Sequence, residues 1–149
     1  LLRMRDSLGN EVLPMAFLPA AERYNLMTEI DRWVVATAMR LLGQRTLINE
    51  TATLLINLSG KSLSDASFVD YLEKELSATA MPCRRICFEI AEASAISNIR
   101  SIGDSIARLR RLGCRFALDD FGTGFSALNY LTTLSVDRLK IDRILDEYE

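Results

Sequence analysis

Short apolar runs alternate along this chain with segments whose apolar residues recur every three or four positions. The run ATLLINL at 52–58 has no helical period, so we expect a buried strand there. Further strands are expected at 1–6, 85–90, 115–120 and 136–142. Strands that alternate with helices predict a parallel sheet with right-handed crossovers. We therefore expect an α/β fold with about five parallel strands joined by crossover helices.

The segments between the strands carry helix signals of their own. Residues 14–24 predict a short helix that Pro19 either interrupts or divides by starting its second part. Thr28 and Asp31 fit a capping pair for the next helix. The buried stripe of that next helix is expected at Ile30, Trp33, Val34, Ala38 and Leu41. Ser64 is expected to cap a helix that buries Phe68, Val69, Leu72 and Leu76. A helix over 97–112 is expected to bury Ile99, Ile102, Ile106 and Leu109.

The composition limits the chemistry that the chain can perform. Its 149 residues include no histidine, which excludes a Ser-His-Asp or Cys-His nucleophile within the chain. His-ligated zinc is excluded for the same reason. A metal site here must use oxygen ligands, which favours Mg²⁺, Mn²⁺ or Ca²⁺.

Charge and hydropathy narrow the class of protein further. A net charge of −2 argues against binding to long nucleic acid but is compatible with a small phosphorylated ligand. No segment approaches the about 20 apolar residues that span a bilayer. We expect a cytoplasmic domain whose three cysteines are reduced core thiols, in a parent protein that a segment outside this chain could anchor to a membrane.

Polar side chains stand at the end of each internal strand. They are Asn57, Glu89, the pair Asp119 and Asp120, and Lys140. Because side chains alternate along a strand and parallel strands end at one edge, we expect these groups to converge on one rim. Adjacent carboxylates repel each other, and a cation is the simplest way to offset that repulsion.

These groups predict metal-assisted hydrolysis of a phosphate ester. Four hard oxygen donors could share two divalent ions, which activate water and receive a phosphate oxygen. Lys140 would hold the nucleophilic water, and its alternative role is a salt bridge to Asp119 or Glu89. Arg3, at the end of the first strand, could bind a phosphate oxygen. The structural alternative for residues 119–126 is a polar strand end followed by a glycine turn.

Several motifs of the chain resemble one known family. DDFGTGFSALNYL followed by VDRLKID, with INLS and FEIAE before them, resembles the EAL domain. LLRMRD and FLPAAERYNLMTEIDRWVV resemble the segments that open that domain. The resemblance implies a TIM-type (β/α)₈ barrel with a modified first strand. It also implies a phosphodiesterase that uses two Mg²⁺ or Mn²⁺ ions to convert cyclic di-GMP to the linear dinucleotide in bacterial signalling.

The resemblance assigns roles to individual positions. It implies that Asn57, Glu89, Asp119 and Asp120 are metal ligands. Lys140 would orient the catalytic water beside the two aspartates, Arg3 would contact the substrate phosphate, and Asp142 would lie near a guanine base. Glu92 would anchor the loop at 121–126, which would link the metal site to a homodimer interface. Fused sensory or GGDEF domains are expected in the parent protein.

The chain also departs from the family pattern. The glutamate of the family's opening motif should precede Leu1, and the C-terminal third, with a further metal-site glutamate, is missing. A complete barrel needs about 250 residues. We therefore expect residues 1–149 to be a partial EAL domain that is inactive on its own. Two alternatives to the enzyme stay open, a catalytically inactive cyclic di-GMP receptor and a protein-interaction module.

Overall fold

A computed structural model describes residues 2–43, 52–79, 82–122 and 129–141. The strands, in chain order, are β1 (Met4–Arg5), β2 (Glu11–Val12), β3 (Leu54–Asn57), β4 (Ile86–Ala91), β5 (Arg115–Phe121) and β6 (Arg138–Ile141). The helices are α1 (Pro14–Arg23), α2 (Met27–Gly43), α3 (Gly60–Leu63), α4 (Ala66–Ala78), α5 (Glu92–Ser97), α6 (Ile99–Arg110) and α7 (Tyr130–Leu134). A 3₁₀ turn, Cys83–Arg85, precedes β4. None of the helices in these ranges is both long and apolar enough to cross a bilayer.

Four strands form a parallel sheet in the order β3-β4-β5-β6, with helices in each connection. This confirms the predicted α/β class with crossover helices. The prediction of a fifth parallel strand at the start of the chain is wrong for the described residues. There β1 pairs antiparallel with β2 in a separate two-stranded sheet.

A tight turn explains why the first strand reverses direction. The Asp6 carboxylate accepts hydrogen bonds from the backbone N–H groups of Leu8 and Asn10, at 2.9 and 2.8 Å. An Asp side chain that binds backbone N–H groups further along the chain stabilises a turn. The turn brings Glu11 back beside Arg5 before a helix can form.

The main core lies on the helix side of the parallel sheet. It includes the strand residues whose side chains point toward the helices, which are Ile56, Phe88, Ile90, Phe116 and Leu118. The predicted buried side of α4 (Phe68, Val69, Leu72 and Leu76) and three of the four residues predicted for α6 (Ile102, Ile106 and Leu109) are buried in the same cluster. The rings of Phe88 and Phe116 meet at 5.5 Å between centroids. Each such side chain removed from water contributes about 1.5–3 kcal/mol, so this core fixes the sheet that carries the polar strand ends.

The stripe predicted for α2 is wrong by one residue. Trp33 is 58% exposed, whereas Val35, Met39 and Leu42 are buried. The cause is Asp31, whose carboxylate binds Ser59 and Ser62 at the start of α3. Asp31 is therefore buried and is not part of an N-terminal cap. That polar contact fixes which face of α2 turns inward.

Other helix boundaries also differ from those predicted. Asp65, not Ser64, caps α4, since its Oδ1 accepts the Ser67 N–H at 2.8 Å. The helix expected over 97–112 is α6 alone, and a separate short helix, α5, precedes it. Pro19 lies inside a continuous α1.

Candidate active site

The face of the sheet opposite the helix-side core carries the polar strand ends. Asn57 on β3 is the direct partner of Glu89 on β4, and Ala91 is the partner of Asp119 on β5. Neighbouring parallel strands are about 4.8 Å apart, so these residues lie along one edge of the sheet. The edge is formed by the carboxyl ends of the strands, where α/β barrels place their chemistry.

Lys140 on β6 joins two of the acids. Its Nζ lies 3.1 Å from Glu89 Oε1 and 3.1 Å from Asp119 Oδ2. Glu89 is 4% exposed, so its charge is compensated mainly by this ammonium. Burial alone would lower the pKa of Lys140, but the hydrogen bonds that Lys140 donates to Asp119 and Glu89 outweigh it and raise that pKa. The side chain is therefore a charged donor at neutral pH, and both salt bridges named as its alternative role are present.

The two aspartates lie in a β-bulge of β5. Leu118 pairs with Leu139 and Phe121 pairs with Ile141, so Asp119 and Asp120 together face the single residue Lys140. Asp120 has a φ of +55°, in the left-handed region. A non-glycine residue there costs about 1–3 kcal/mol, and aspartate tolerates the conformation better than most. The sequence showed the adjacent acids but not the bulge.

The donors at this edge fit a hard divalent cation. Asn57, Glu89, Asp119 and Asp120 supply only oxygen, which Mg²⁺ and Mn²⁺ prefer. Glu89 Oε1 is a buried oxygen that already faces a cation, the Lys140 ammonium 3.1 Å away, without a well-aligned hydrogen bond. Such an atom is suited to a cation ligand. Within the described ranges no three acidic or cysteine side chains are grouped closely enough to hold a metal ion by themselves.

Glu92 connects the two ends of the segment that follows the aspartates. It is 3% exposed, and its Oε2 accepts the Gly122 N–H at 2.9 Å while its Oε1 accepts the Tyr130 hydroxyl. Gly122 has a φ of +95°, which a side chain would strain. Burial, then the bond to Glu92, raises the pKa of Tyr130. Residues 123–126 of the loop assigned to Glu92 lie outside the described residues, so its anchoring role stays a prediction.

Two predicted substrate-binding residues are not joined to this group. Arg3 is exposed, and its guanidinium donates to the carbonyl of Leu2 at 2.8 Å. Within the described part of the chain, no hydrogen bond or ion pair links Arg3 to the carboxylates or to Lys140. Asp142 lies outside the described residues. The roles of both residues stay predictions.

Asp31 holds the segment that directly follows Asn57, a role that the sequence analysis did not predict. Its Oδ2 accepts the Ser59 N–H at 3.0 Å and the hydroxyls of Ser59 and Ser62 at 2.6 Å each. Ser59 follows Asn57 by two residues and caps α3 through the Ser62 N–H. The contact spans 28 residues, so no local pattern reveals it.

Comparisons with known proteins agree with this architecture. Residues 1–145 match the EAL domain family. The chain is 41% identical over 142 residues to cyclic di-GMP phosphodiesterase PdeB of Shewanella oneidensis and 31% identical over 142 residues to cyclic di-GMP phosphodiesterase PdeF of Escherichia coli. Each match covers 95% of this chain, but the chain spans only 17% and 19% of those two proteins.

A solved structure matches the fold. The FimX EAL domain of Pseudomonas aeruginosa bound to c-di-GMP superimposes with a TM-score of 0.89 at 32% identity. The match covers 99% of this chain and 59% of the FimX chain. The parallel sheet and crossover helices are thus those of part of a TIM-type barrel, as predicted. The chain belongs to the EAL domain family.

Proposed function

We propose that the domain containing this chain hydrolyses one phosphodiester bond of cyclic di-GMP and releases the linear dinucleotide. The observation that carries the proposal is the contact of Lys140 with both Glu89 and Asp119 at the carboxyl edge of the sheet. The named activities of PdeB and PdeF support the choice of reaction. The match to 59% of the FimX chain supports the further proposal that residues 1–149 are part of an EAL domain.

Two Mg²⁺ or Mn²⁺ ions are the proposed cofactors. Asn57, Glu89, Asp119 and Asp120 would hold them, and the burial of the Glu89 carboxylate at the carboxyl edge of the sheet is the observation that supports this assignment. Bound metal supplies an activated water and positive charge for the phosphate oxygens. The bulge at Asp119 and Asp120 supports a ligand role for both, because strained backbone is concentrated at functional sites.

Lys140 is proposed to orient the attacking water. As a charged ammonium with three donors it can hold two carboxylates and still donate to a water oxygen. Arg3 is proposed to bind a phosphate oxygen of the dinucleotide, since guanidinium groups pair with phosphate in two-point contacts. Asp142 is proposed to lie near a guanine base.

Glu92 is proposed to link the metal-binding residues to a homodimer interface formed by the loop after Asp120. The two hydrogen bonds of its carboxylate, to Gly122 and Tyr130, support a role in fixing that loop. Sensory or GGDEF domains fused to the parent protein would then act on turnover through the dimer. The proposed cellular location of the domain is the cytoplasm.

A second candidate is a receptor that binds cyclic di-GMP without hydrolysing it. The observation that favours it is the close match to FimX, whose EAL domain was solved with c-di-GMP bound. Both candidates need the same nucleotide, so binding alone does not separate them. A scaffold that binds a protein partner and no nucleotide is the remaining alternative.

The test uses the full-length protein that carries this chain. Cyclic di-GMP is titrated by calorimetry with Ca²⁺ and, in parallel, incubated with Mg²⁺ or Mn²⁺ while the products are separated by chromatography. We expect the linear dinucleotide with Mg²⁺ or Mn²⁺ and its loss in Asp119→Asn. Binding without any product would overturn the enzyme and support the receptor. Absence of binding would overturn both and leave the scaffold.

A further inference from the structure

Two cysteines meet at the edge of the sheet opposite the candidate active site. Cys83 lies in the 3₁₀ turn that leads into β4, and Cys114 directly precedes β5. The two strands are parallel neighbours, with Cys87 paired to Arg115, so their amino ends lie side by side. This pair is separate from the polar groups at the carboxyl ends of the strands.

The segments that carry the two side chains pack against each other. The Cys114 thiol lies within hydrogen-bonding reach of Cys83, and a Cβ placed on the adjoining Gly113 would be 3.8 Å from Cys83 Cβ. Cys83 Sγ points its hydrogen at the carbonyl of Leu76, 3.9 Å away, which leaves its lone pairs for the Cys114 S–H. The two thiols are therefore neighbours in the reduced protein.

The two sulfurs differ in exposure. Cys83 is half-buried, whereas Cys114 is 3% exposed. Burial, followed by the nearness of Cys83, raises the pKa of Cys114. Because Cys83 is the more exposed of the two thiols, a soluble oxidant reaches Cys83 first.

We propose that Cys83 and Cys114 are a redox modification site, at which a hydroperoxide converts the two thiols into an intrachain disulfide. In the first step the Cys83 sulfur attacks hydrogen peroxide, the O–O bond breaks, and sulfenic acid and water form. In the second step the Cys114 sulfur attacks the sulfenic sulfur. The S–O bond breaks, and the departing hydroxide takes the Cys114 proton as a second water. Two thiols and one peroxide thus give one disulfide and two waters, with two electrons passing from sulfur to oxygen.

The disulfide would link the amino ends of β4 and β5. The loop that it closes contains β4, α5 and α6, and hence Glu89 and Glu92. Closing a loop of this length restricts the unfolded chain more than the folded one. The oxidised chain should therefore unfold at a temperature roughly 5–10 °C higher than the reduced chain.

The experiment exposes the full-length protein that carries this chain to hydrogen peroxide at a small molar excess and analyses it by intact mass and by non-reducing peptide mapping. We expect a mass loss of about 2 Da, a peptide that links Cys83 to Cys114, and reversal by dithiothreitol. Cys83→Ser should abolish both the mass loss and the rise in unfolding temperature. Cys87→Ser is the matched control, since that buried thiol lies on β4 itself, and it should retain both.

Several results would overturn the proposal. These are oxygen addition at either cysteine without the mass loss, a disulfide that includes Cys87, and a disulfide between two chains on a non-reducing gel. Formation of the Cys83–Cys114 link only in denaturant would also overturn it, because the link would then not depend on the folded contact. Circular dichroism of each variant separates a lost disulfide from a lost fold.

Discussion

Asp31→Ala should destabilise the chain far more than the loss of an ordinary surface carboxylate. Asp31 is 4% exposed, and one oxygen, Oδ2, accepts three hydrogen bonds from Ser59 and Ser62. Removing it leaves the Ser59 N–H without an acceptor, which costs about 1–3 kcal/mol. The two hydroxyls lose less, since they already lie 2.9 Å apart and can bond to each other. With the charge-assisted bonds lost as well, we expect a total of about 3 kcal/mol.

The assay is urea unfolding of the 149-residue chain, followed by circular dichroism. With a urea dependence of about 2 kcal/mol per molar, the midpoint should fall by about 1.5 M. Asp31→Asn keeps an acceptor oxygen and should lose about 1 kcal/mol. Asp70→Ala is the matched control, because Asp70 is 60% exposed and pairs with Arg108 at the surface, where such pairs contribute at most about 1 kcal/mol. A midpoint for Asp31→Ala equal to that of Asp70→Ala would refute the reasoning.

Three further predictions follow from contacts described above. In the full-length protein, Lys140→Ala should lower kcat by about 10²-fold or more with a smaller change in KM; unchanged turnover would show that Lys140 does not orient the water. Gly60→Ala should lower the free energy of unfolding by about 1–3 kcal/mol in urea titrations, because the added Cβ would lie 2.9 Å from Ser94 Cβ; a stability equal to that of the unmodified chain would contradict this close contact. The raised pKa of Tyr130 means that the folded state holds that proton more tightly, so the stability that it contributes is complete below about pH 10 and falls at higher pH. Tyr130→Phe should flatten that fall above about pH 10, and an unchanged slope would assign the fall to other groups.

The face that carries the site was predictable because strand alternation is a local property. Asn57 and Glu89 each follow a strand residue that faces the helix-side core, so their shared face follows from counting. The parallel direction of the four strands followed from the helices between them. These features need no knowledge of distant contacts.

Two of the missed features depend on contacts between distant segments, whereas the pairing of β1 depends on a local turn. The inward orientation of Asp31 is set by Ser59 and Ser62, and the stripe of α2 shifts with it. The bulge at Asp120 exists only relative to the register of β6. The antiparallel pairing of β1 depends on a carboxylate that closes a turn, which competes with the wider strand-helix pattern.

The bulge in β5 also resets the inside-outside order of the strand. Leu118 belongs to the helix-side core, and Phe121 packs against that core although it comes an odd number of residues later. In a regular strand, two residues that far apart point to opposite faces. The extra residue changes the alternation of the strand, so that two consecutive acids are accommodated and the Phe121 ring still reaches its hydrophobic neighbours. Deleting Asp120 would therefore turn Phe121 toward the acids, so the spacing of the pair is as constrained as its charge.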